Sequence, residues 1–334
     1  MSAPFLIAGP CAAESRAQVV GIAREIVSLL GKRVVYRAGV WKPRTNPNTF
    51  QGVGEEALLW LQEVKKETGM AVATEVATPE HIGLAMAAGI DYLWLGARTT
   101  ANPILVQQLA DAIAHHPKRE QLLGVMVKNP VNEDVQLWLG DIERIERAGV
   151  PVMAIHRGCC HRPCWAMAHT LRLLRPDIPL LLDPSHLGGA ANKIMPLMHY
   201  AHNLAFDGAM IETHITPLEA LSDARQQITP MQLKELTDTY PMPYMPTEQT
   251  ELQWLRAEID EIDDRLWDCI AQRMEVSRRI GEWKKAHNTP PLQQGRFEDI
   301  LRRRTEWAKQ NEISADLVEN IFREIHRESL KRQE

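Results

Sequence analysis

The chain has 334 residues, of which 45% are hydrophobic and 24% charged, and its formal net charge at pH 7 is −5. These values are typical of a globular protein, and the slight acidity argues against nucleic acid as a partner. No apolar run reaches the roughly 20 residues of a membrane span. The first residues carry no secretory leader pattern, and five cysteines, an odd number, argue against a disulfide framework. We therefore expect a cytoplasmic protein without a membrane partner.

Residues 1–236 alternate short apolar runs with longer segments of helical spacing. Eight apolar runs occur, from FLIAGP at residue 5 to DGAMIETH at residue 207. The runs are continuous, as in parallel strands that are covered on both faces. Eight strand–helix units in this length predict an α/β fold, the (β/α)8 TIM barrel. An open doubly wound sheet is the alternative, but the Gly-x-Gly-x-x-Gly turn that typically follows its first strand is absent from the sequence.

The pattern changes after residue 236. Residues 237–250 hold three prolines among polar and aromatic residues and predict an extended linker. Residues 251–334 predict a small all-α domain of three helices. The first helix has no Gly or Pro before Gly281, and its apolar residues recur every three or four positions. Such a helix is too long for a compact three-helix unit, so we expect it to be buried by homodimerisation.

Polar residues concentrate where the predicted barrel strands end, which is where barrel enzymes place their active sites. One group is cationic and indicates a cleft for carboxylates and phosphates. Its members are Arg37, Lys42, Arg44, Arg98, Lys128 and Arg157. A second group combines a thiol, an imidazole and two carboxylates, a set that suits Mn, Fe, Co or Zn rather than Mg or Ca. Its members are Cys11, His186, Glu212 and Asp223.

The stretch AIHRGCCHRPCWAMAH, residues 154–169, contains three cysteines and three histidines. Its spacing is poor for tetrahedral zinc, because adjacent cysteines point apart and no second ligand pair follows. We expect Arg157 to lie at the end of a strand and Pro163 to lie early in the next helix. The cysteines are then expected to be oxidation-sensitive thiols of the intervening loop and first turn: Cys159, Cys160 and Cys164.

The segments AGPC, YRAGVWKPRT, GART, VKN, HRG, DPSH, ETH and LSDARQQ resemble, in order, the motifs of type I 3-deoxy-D-arabino-heptulosonate 7-phosphate (DAHP) synthase. The resemblance covers nearly all of residues 4–230. It implies condensation of phosphoenolpyruvate with erythrose 4-phosphate, the reaction that opens aromatic amino-acid biosynthesis. It also implies a divalent metal cofactor, with Mn²⁺ as first choice and Fe²⁺, Co²⁺ or Zn²⁺ as alternatives. The implied ligands are Cys11, His186, Glu212 and Asp223.

The same resemblance implies a role for each cation. Arg98, Lys128 and Arg157 would bind the phosphate of phosphoenolpyruvate, and Arg37, Lys42 and Lys128 would face its carboxylate. Arg44 and Thr45 would bind the phosphate of the sugar. Lys128 is also a candidate proton donor. The rival is the sister family of 3-deoxy-octulosonate 8-phosphate synthases, which use arabinose 5-phosphate. That family has a KANRS-type segment where this chain has KPRTN, so Arg44 favours erythrose 4-phosphate.

The segment LRAEIDEIDDRLWDCIAQRMEV resembles the first helix of the all-helical chorismate mutases, and the resemblance extends over residues 252–333. It implies rearrangement of chorismate to prephenate without a cofactor, with one arginine, Arg256, entering the site of the other protomer. Phe297 and Gln293 depart from the family, which often has glutamate and aspartate there. The ligand-binding residues implied by the resemblance are Arg256, Arg273, Lys284, Arg296, Ser329 and Gln333.

Two interpretations of this domain remain open. It is either a working mutase or a mainly regulatory and dimerising unit with weak catalysis. The retained cations and Gln333 favour catalysis, since a pure dimerisation unit would not need them. Prephenate or chorismate, bound there, is our candidate feedback inhibitor of the barrel.

Overall fold

The computed structural model describes residues 6–44, 46–160, 162–242, 244–290 and 294–333. The chain divides into two compact units, Met1–Glu258 and Ile259–Glu334. The predicted linker, residues 237–250, therefore belongs to the first unit. In the described part of the chain, no helix is both long enough and apolar enough to cross a membrane.

The first unit contains a closed barrel of eight parallel strands, in which each strand pairs with the next and the last pairs with the first. The predicted TIM barrel is confirmed. All strand residues are buried, which explains why the apolar runs are continuous. The strands are β1 (Leu6–Gly9), β2 (Val35–Arg37), β3 (Val72–Val76), β4 (Tyr92–Leu95), β5 (Gly124–Lys128), β6 (Val152–His156), β7 (Leu180–Leu182) and β8 (Gly208–Glu212).

Helices follow the strands and cover the outside of the barrel, and three more complete the chain. Several begin with a side-chain cap, as at Ser15, whose hydroxyl accepts a hydrogen bond from the backbone N–H of Gln18. The helices are α1 (Arg16–Leu30), α2 (Glu56–Thr68), α3 (Pro79–Ala87), α4 (Pro103–Ala114), α5 (Val135–Arg147), α6 (Trp165–Leu174), α7 (Pro184–Gly188), α8 (Ile194–Asn203), α9 (Pro230–Thr239), α10 (Thr250–Ala286), α11 (Gln294–Gln310) and α12 (Ala315–Lys331).

The first two turns of α10 belong to the barrel unit. Trp254 on α10 is 2% exposed and meets Trp165 of α6 edge to face, with ring centroids 6.4 Å apart. His169 of α6 stacks on Trp254 at 5.2 Å and lies between two carboxylates of α10. Its Nδ1 is 2.6 Å from Glu258 and its Nε2 is 3.2 Å from Glu251. These contacts fix the beginning of α10 on α6.

The loop between β6 and α6 differs from the prediction. Residues Cys159 and Arg162 exchange two backbone hydrogen bonds of 2.9 and 2.8 Å, which close a tight turn. The helix therefore begins only at Trp165, and the expectation that Pro163 lies within it was wrong. Instead, the carbonyl of Pro163 accepts a hydrogen bond from Nε2 of His156 at 2.6 Å. Burial lowers the pKa of His156 to about 4, so this imidazole is neutral.

The three loop cysteines do not share one environment. Cys159 and Cys164 are buried, and only Cys160 is exposed. The expectation of three oxidation-sensitive thiols was therefore wrong for the two buried ones, which are shielded from solvent oxidants. Within the described ranges, no cluster of metal-binding side chains forms at this loop. His161 lies outside the described residues.

A buried carboxylate on α5 stands out from its apolar surroundings. Asp141 lies on the same helix face as Trp138 and Ile142 and is 0% exposed. Neither of its side-chain oxygens has a hydrogen-bond partner among the described residues, and Arg144 Nη1 is 3.6 Å away. Burial raises the pKa of Asp141 to about 7. Ionised Asp141 therefore destabilises the fold.

Replacing Asp141 with asparagine is expected to raise stability at pH 8 by on the order of 2 kcal/mol. Because the pKa of Asp141 is raised in the folded state, the protonated carboxyl group favours folding at low pH. This contribution is lost as pH rises through the folded-state pKa near 7. The gain in the variant should therefore disappear near pH 4. Chemical denaturation across this pH range measures it. Glu143→Gln, an exposed change on the same helix, is the control. A gain that does not depend on pH would contradict the assignment.

Candidate active sites

Three of the four predicted metal ligands lie together at the carboxyl end of the barrel. One ligand atom each from Cys11, Glu212 and Asp223 lies within 4.8 Å of the others. The fourth, His186, places Nε2 3.7 Å from Glu212 Oε1. The Cys11 thiol lies 2.9 Å from Asp223 Oδ2 and 3.0 Å from Ser222 Oγ. The four side chains come from the loop that follows β1, from α7, from β8 and from the loop that follows β8, so only barrel closure brings them together.

The protonation states of this cluster follow from burial and neighbouring charge. Burial, reinforced by the Glu212 carboxylate, raises the pKa of the Cys11 thiol. Burial alone would also raise the pKa of Glu212, but the charges of His186 and Arg37 lower it below its usual value. The pKa of Asp223 is likewise lowered despite burial, chiefly by the hydrogen bond from Cys11. The result is two carboxylates beside a neutral thiol.

Arg37 is completely buried at the end of β2. Its Nη2 lies 3.2 Å from Glu212 Oε1 and donates a hydrogen bond to the Cys11 carbonyl, also at 3.2 Å. Its guanidinium carbon lies 4.7 Å from the ring centroid of Trp94. Its Nε and Nη1 are buried and have no hydrogen-bond partner among the described residues. Two buried donors without acceptors indicate that an anion belongs beside this side chain.

Two lysines face the same space, each paired with a carboxylate. Lys42 Nζ is 3.4 Å from Glu75 Oε2, and Lys128 Nζ is 2.6 Å from Asp183 Oδ2. Asp183 also lies 2.8 Å from His186 Nδ1 and so connects the cationic group with the metal-type cluster. Burial lowers the pKa of Lys128, although Asp183 opposes the shift.

All six predicted cations line one cavity of about 370 Å³. Arg44 pairs with Asp223 at 3.2 Å and donates to Ser222 Oγ. Arg98 is exposed at the rim, and the backbone N–H of Arg157 donates to Asn129 Oδ1 at 2.7 Å. The cavity also borders His186 and Asp223. Thr45, the remaining predicted contact, lies outside the described residues.

Sequence reasoning missed Glu75, because it sits inside the apolar run of β3 and no polar loop motif follows it. It also gave Asp183 no role, although DPSH placed it at a strand end. A signal for Glu75 was available, since an acidic residue in a buried strand needs a partner. The structure also explains the glycine of GART. A Cβ atom on Gly96 would lie 2.2 Å from Glu75 Oε1.

The second unit contains another cavity, of about 290 Å³, between its helices. Five of the six predicted mutase residues line it, namely Arg273, Lys284, Arg296, Ser329 and Gln333. Arg256, the sixth, is exposed on α10. Phe297 also lines this cavity, where it stacks on His326, and Gln293 lies outside the described residues.

Close contact between α10 and the end of the chain forms one wall of this cavity. A Cβ atom on Gly281 would lie 2.6 Å from the Cα of Gln333, so only glycine allows this approach. Lys284, one turn further on, donates to Gln333 Oε1 at 3.0 Å. Across the cavity, Arg273 Nη1 donates to Ser329 Oγ. Burial lowers the pKa of Arg273.

A TIM barrel whose strand ends combine basic residues with a thiol–carboxylate cluster defines a class of enzymes that act on anionic substrates. Comparison with known proteins identifies the family. Residues 2–241 match the profile described as the DAHP synthetase I family, and residues 255–334 match that of chorismate mutase type II. The chain belongs to the DAHP synthetase I family and carries a C-terminal chorismate mutase domain. It is a bifunctional enzyme of the shikimate pathway.

Individual relatives come from the DAHP synthase class and from the rival phosphooctonate class. The phospho-2-dehydro-3-deoxyheptonate aldolase of Thermotoga maritima is 30% identical over 242 residues, which span 69% of this chain and 67% of that protein. A crystal structure of the DAHP synthase of this organism superposes with a TM-score of 0.61 at 28% identity, covering 71% of this chain and 68% of that one. The 2-dehydro-3-deoxyphosphooctonate aldolase of Wolinella succinogenes is 26% identical over 253 residues, which span 70% of this chain and 96% of the relative.

Replacing Gly96 with alanine should displace Glu75 and, through it, Lys42. We expect the kcat/KM of the synthase to fall about 100-fold, the effect of moving a site group by roughly 1 Å, while mutase activity stays unchanged. Steady-state assays of both activities measure this. Gly83→Ala on α3, where a Cβ atom meets nothing within 4 Å, is the control. Full synthase activity in Gly96→Ala would show that the position of Glu75 does not matter for catalysis.

Proposed function

We propose that the barrel cavity binds phosphoenolpyruvate and erythrose 4-phosphate together and condenses them to DAHP and phosphate, in the cytoplasm. The observation that carries this proposal is the convergence of six basic side chains on one cavity beside Cys11, Glu212 and Asp223. Two phosphates and a carboxylate repel one another in water. A cavity surrounded by fixed cations offsets this repulsion and holds the reacting carbons close together.

The cations divide between the two substrates. Arg98, Lys128 and Arg157 bind the phosphate of phosphoenolpyruvate. Arg37, Lys42 and again Lys128 face its carboxylate. Nε and Nη1 of Arg37 are buried without a hydrogen-bond partner among the described residues, and this supports the assignment because oxygen atoms of the bound substrate would accept from them. Arg44 and Thr45 bind the sugar phosphate. Arg44 is also our reason for preferring erythrose 4-phosphate to arabinose 5-phosphate.

A divalent cation fits the side chains at the head of the cavity. Cys11, His186, Glu212 and Asp223 would hold it, and their thiol, imidazole and carboxylate donors suit Mn²⁺ first, with Fe²⁺, Co²⁺ or Zn²⁺ as alternatives. Glu212 Oε1 is buried beside Arg37 and His186 and makes no hydrogen bond within the described ranges, so it can still accept such an ion as a further partner. When bound, such an ion would polarise the aldehyde oxygen of the sugar or orient the attacking water.

The remaining chemistry can be assigned to protein side chains. The enol carbon of phosphoenolpyruvate attacks the aldehyde carbon, and the aldehyde oxygen takes up a proton as the new bond forms. Lys128 donates that proton, and its lowered pKa makes it a better acid than a lysine in water. Water then adds at the neighbouring carbon and phosphate leaves. Glu75 is a carboxylate that lines the cavity, and we assign it the proton released by the water.

Removing the metal should stop the synthase and spare the mutase, which needs no cofactor. Dialysis against a chelator is expected to abolish phosphoenolpyruvate consumption while chorismate is still converted, and added Mn²⁺ should restore the first activity. Cys11→Ser should lower metal content and synthase activity at least about 10-fold, whereas Cys269→Ser, an exposed control, should change neither. Metal analysis together with both assays measures this. Full metal content in Cys11→Ser would contradict the ligand assignment.

The cavity of the second unit is proposed to rearrange chorismate to prephenate. Arg273 and Arg296 bind the two carboxylates, and Lys284 and Gln333 face the ether oxygen, where negative charge develops. Arg256 completes the site of a second copy of the chain, because it lies roughly 25 Å along α10 from Arg273. Large apolar side chains exposed on α10 support homodimerisation through this helix: Leu252, Leu255, Ile259, Ile262 and Leu266.

We propose that prephenate or chorismate, bound to the mutase domain, inhibits the synthase. The contacts between α6 and the beginning of α10 offer a route. His169 of α6 contacts Glu251 and Glu258 of α10. Trp165 of α6 packs against His156, with ring centroids 5.7 Å apart. His156 is adjacent to Arg157, a proposed phosphate ligand. A shift of α10 would therefore displace residues of the substrate cavity through this series of packed side chains.

Prephenate should lower the rate of phosphoenolpyruvate consumption in the full-length protein. His169→Leu is expected to weaken this inhibition and to leave both basal activities close to normal, since His169 contacts neither cavity. His115→Leu, which changes an exposed histidine directly after α4, is the control. Initial rates across a prephenate titration measure both. An unchanged rate in the unmodified protein would contradict feedback, and equal inhibition in His169→Leu would exclude α6 as the route.

A further inference from the structure

The mutase cavity contains an imidazole that has no role in the assignment above. His326 lies on α12, three residues before Ser329, and lines the cavity. Its ring stacks on Phe297 with centroids 3.9 Å apart and planes 13° from parallel. Its Nε2 is buried and has no hydrogen-bond partner among the described residues. The ring is thus held in a defined plane while its Nε2 has no hydrogen-bond partner in the part of the chain that the structure describes.

His326 differs in charge from the three cations that line the cavity, Arg273, Lys284 and Arg296. Burial lowers its pKa, and the positive charges of Arg273 and Lys284 lower it further. The imidazole is therefore neutral at neutral pH, with one nitrogen as donor and the other as acceptor. The neighbouring cations are suited to carboxylates, whereas the neutral imidazole is suited to a hydrogen bond with a neutral hydroxyl.

Other polar groups of this wall also form hydrogen bonds within the protein. Ser329 Oγ accepts from Arg273 and donates to the Ile325 carbonyl at 2.8 Å. Lys284 donates to Gln333 Oε1. Chorismate carries two carboxylates, an ether oxygen and one ring hydroxyl. The arginines, Lys284 and Gln333 account for the first two kinds of group, so the hydroxyl still needs a partner.

We propose that His326 binds the ring hydroxyl of chorismate and that Phe297 is the platform that holds the imidazole in place. The inference rests on the mutase site proposed above and extends it. It also explains why an aromatic residue is tolerated at position 297, where related mutases often have a glutamate. A stacked imidazole supplies the hydrogen bond without placing a further negative charge near the substrate's two carboxylates.

The test pairs a change in the protein with a change in the substrate. The full-length enzyme and His326→Leu are assayed with chorismate and with an analogue that lacks the ring hydroxyl. His326→Leu should lower kcat/KM for chorismate about 10- to 100-fold, because the hydroxyl is left unpaired. It should change kcat/KM for the analogue by less than about 3-fold. His326→Asn, which keeps a donor and an acceptor, should recover part of the loss.

Two further variants separate the inference from the site on which it rests. His287→Leu is the matched control, since His287 stacks on Trp283 at 4.0 Å and is exposed. It should behave as the unmodified enzyme with both substrates. Equal losses for the two substrates in His326→Leu, or no loss, would overturn the role of His326 alone. Unchanged mutase activity in Lys284→Ala would overturn the site itself, and with it the inference.

Discussion

The barrel interior depends on the pairing of buried charges. Arg37 and Glu212 are 3.2 Å apart and essentially unexposed, and either one without its partner would destabilise the fold by about 3–5 kcal/mol. Two further pairs repeat the arrangement in other strands and the loops that follow them: Lys42 with Glu75, and Lys128 with Asp183. Because each pair joins different strand–loop units of the barrel, the pairs hold these charged groups in place before any ligand arrives. The cations still outnumber the carboxylates around the cavity, and this surplus makes it a site for anions.

The same carboxylates join the anion cavity to the metal-type cluster. Glu212 faces both Arg37 and His186, and Asp223 faces both Cys11 and Arg44. The pKa values of Glu212 and Asp223 are lowered despite burial, so both carboxylates stay ionised through mildly acidic pH. Cys11 is the exception, since burial raises the pKa of its thiol. A bound divalent cation would reverse that preference by favouring the thiolate.

The second unit forms its cavity in a different way, because it has few residues with which to enclose a substrate. One wall of the cavity forms where the backbones at Gly281 and Gln333 approach closely. The stacked rings of Phe297 and His326 also line it. Its first helix continues from the barrel unit, where Trp254 and His169 hold the preceding turns. One continuous helix thus belongs to both units, which is the physical basis for expecting the two activities to influence each other.

Much of this protein could be predicted from its sequence. The apolar runs and their spacing predict the barrel, and the rule that barrel chemistry lies at strand ends selects most of the cavity lining. The family resemblance then assigns roles, including those of Arg273 and Gln333. Glu75 escaped prediction because a buried strand hides it. The burial of Cys159 and Cys164, and the start of α6 after Pro163, depend on a turn whose hydrogen bonds have no local sequence signal.

The sequence by itself determined the fold class, the strand ends and the residue types available to each site. Only the tertiary structure decided which carboxylate faces which cation, as for Glu75 and Lys42, and which aromatic ring carries His326. Periodicity along a chain records which residues are buried together. It does not record the partner of each buried charge, because that partner comes from a distant strand or helix and is set by packing.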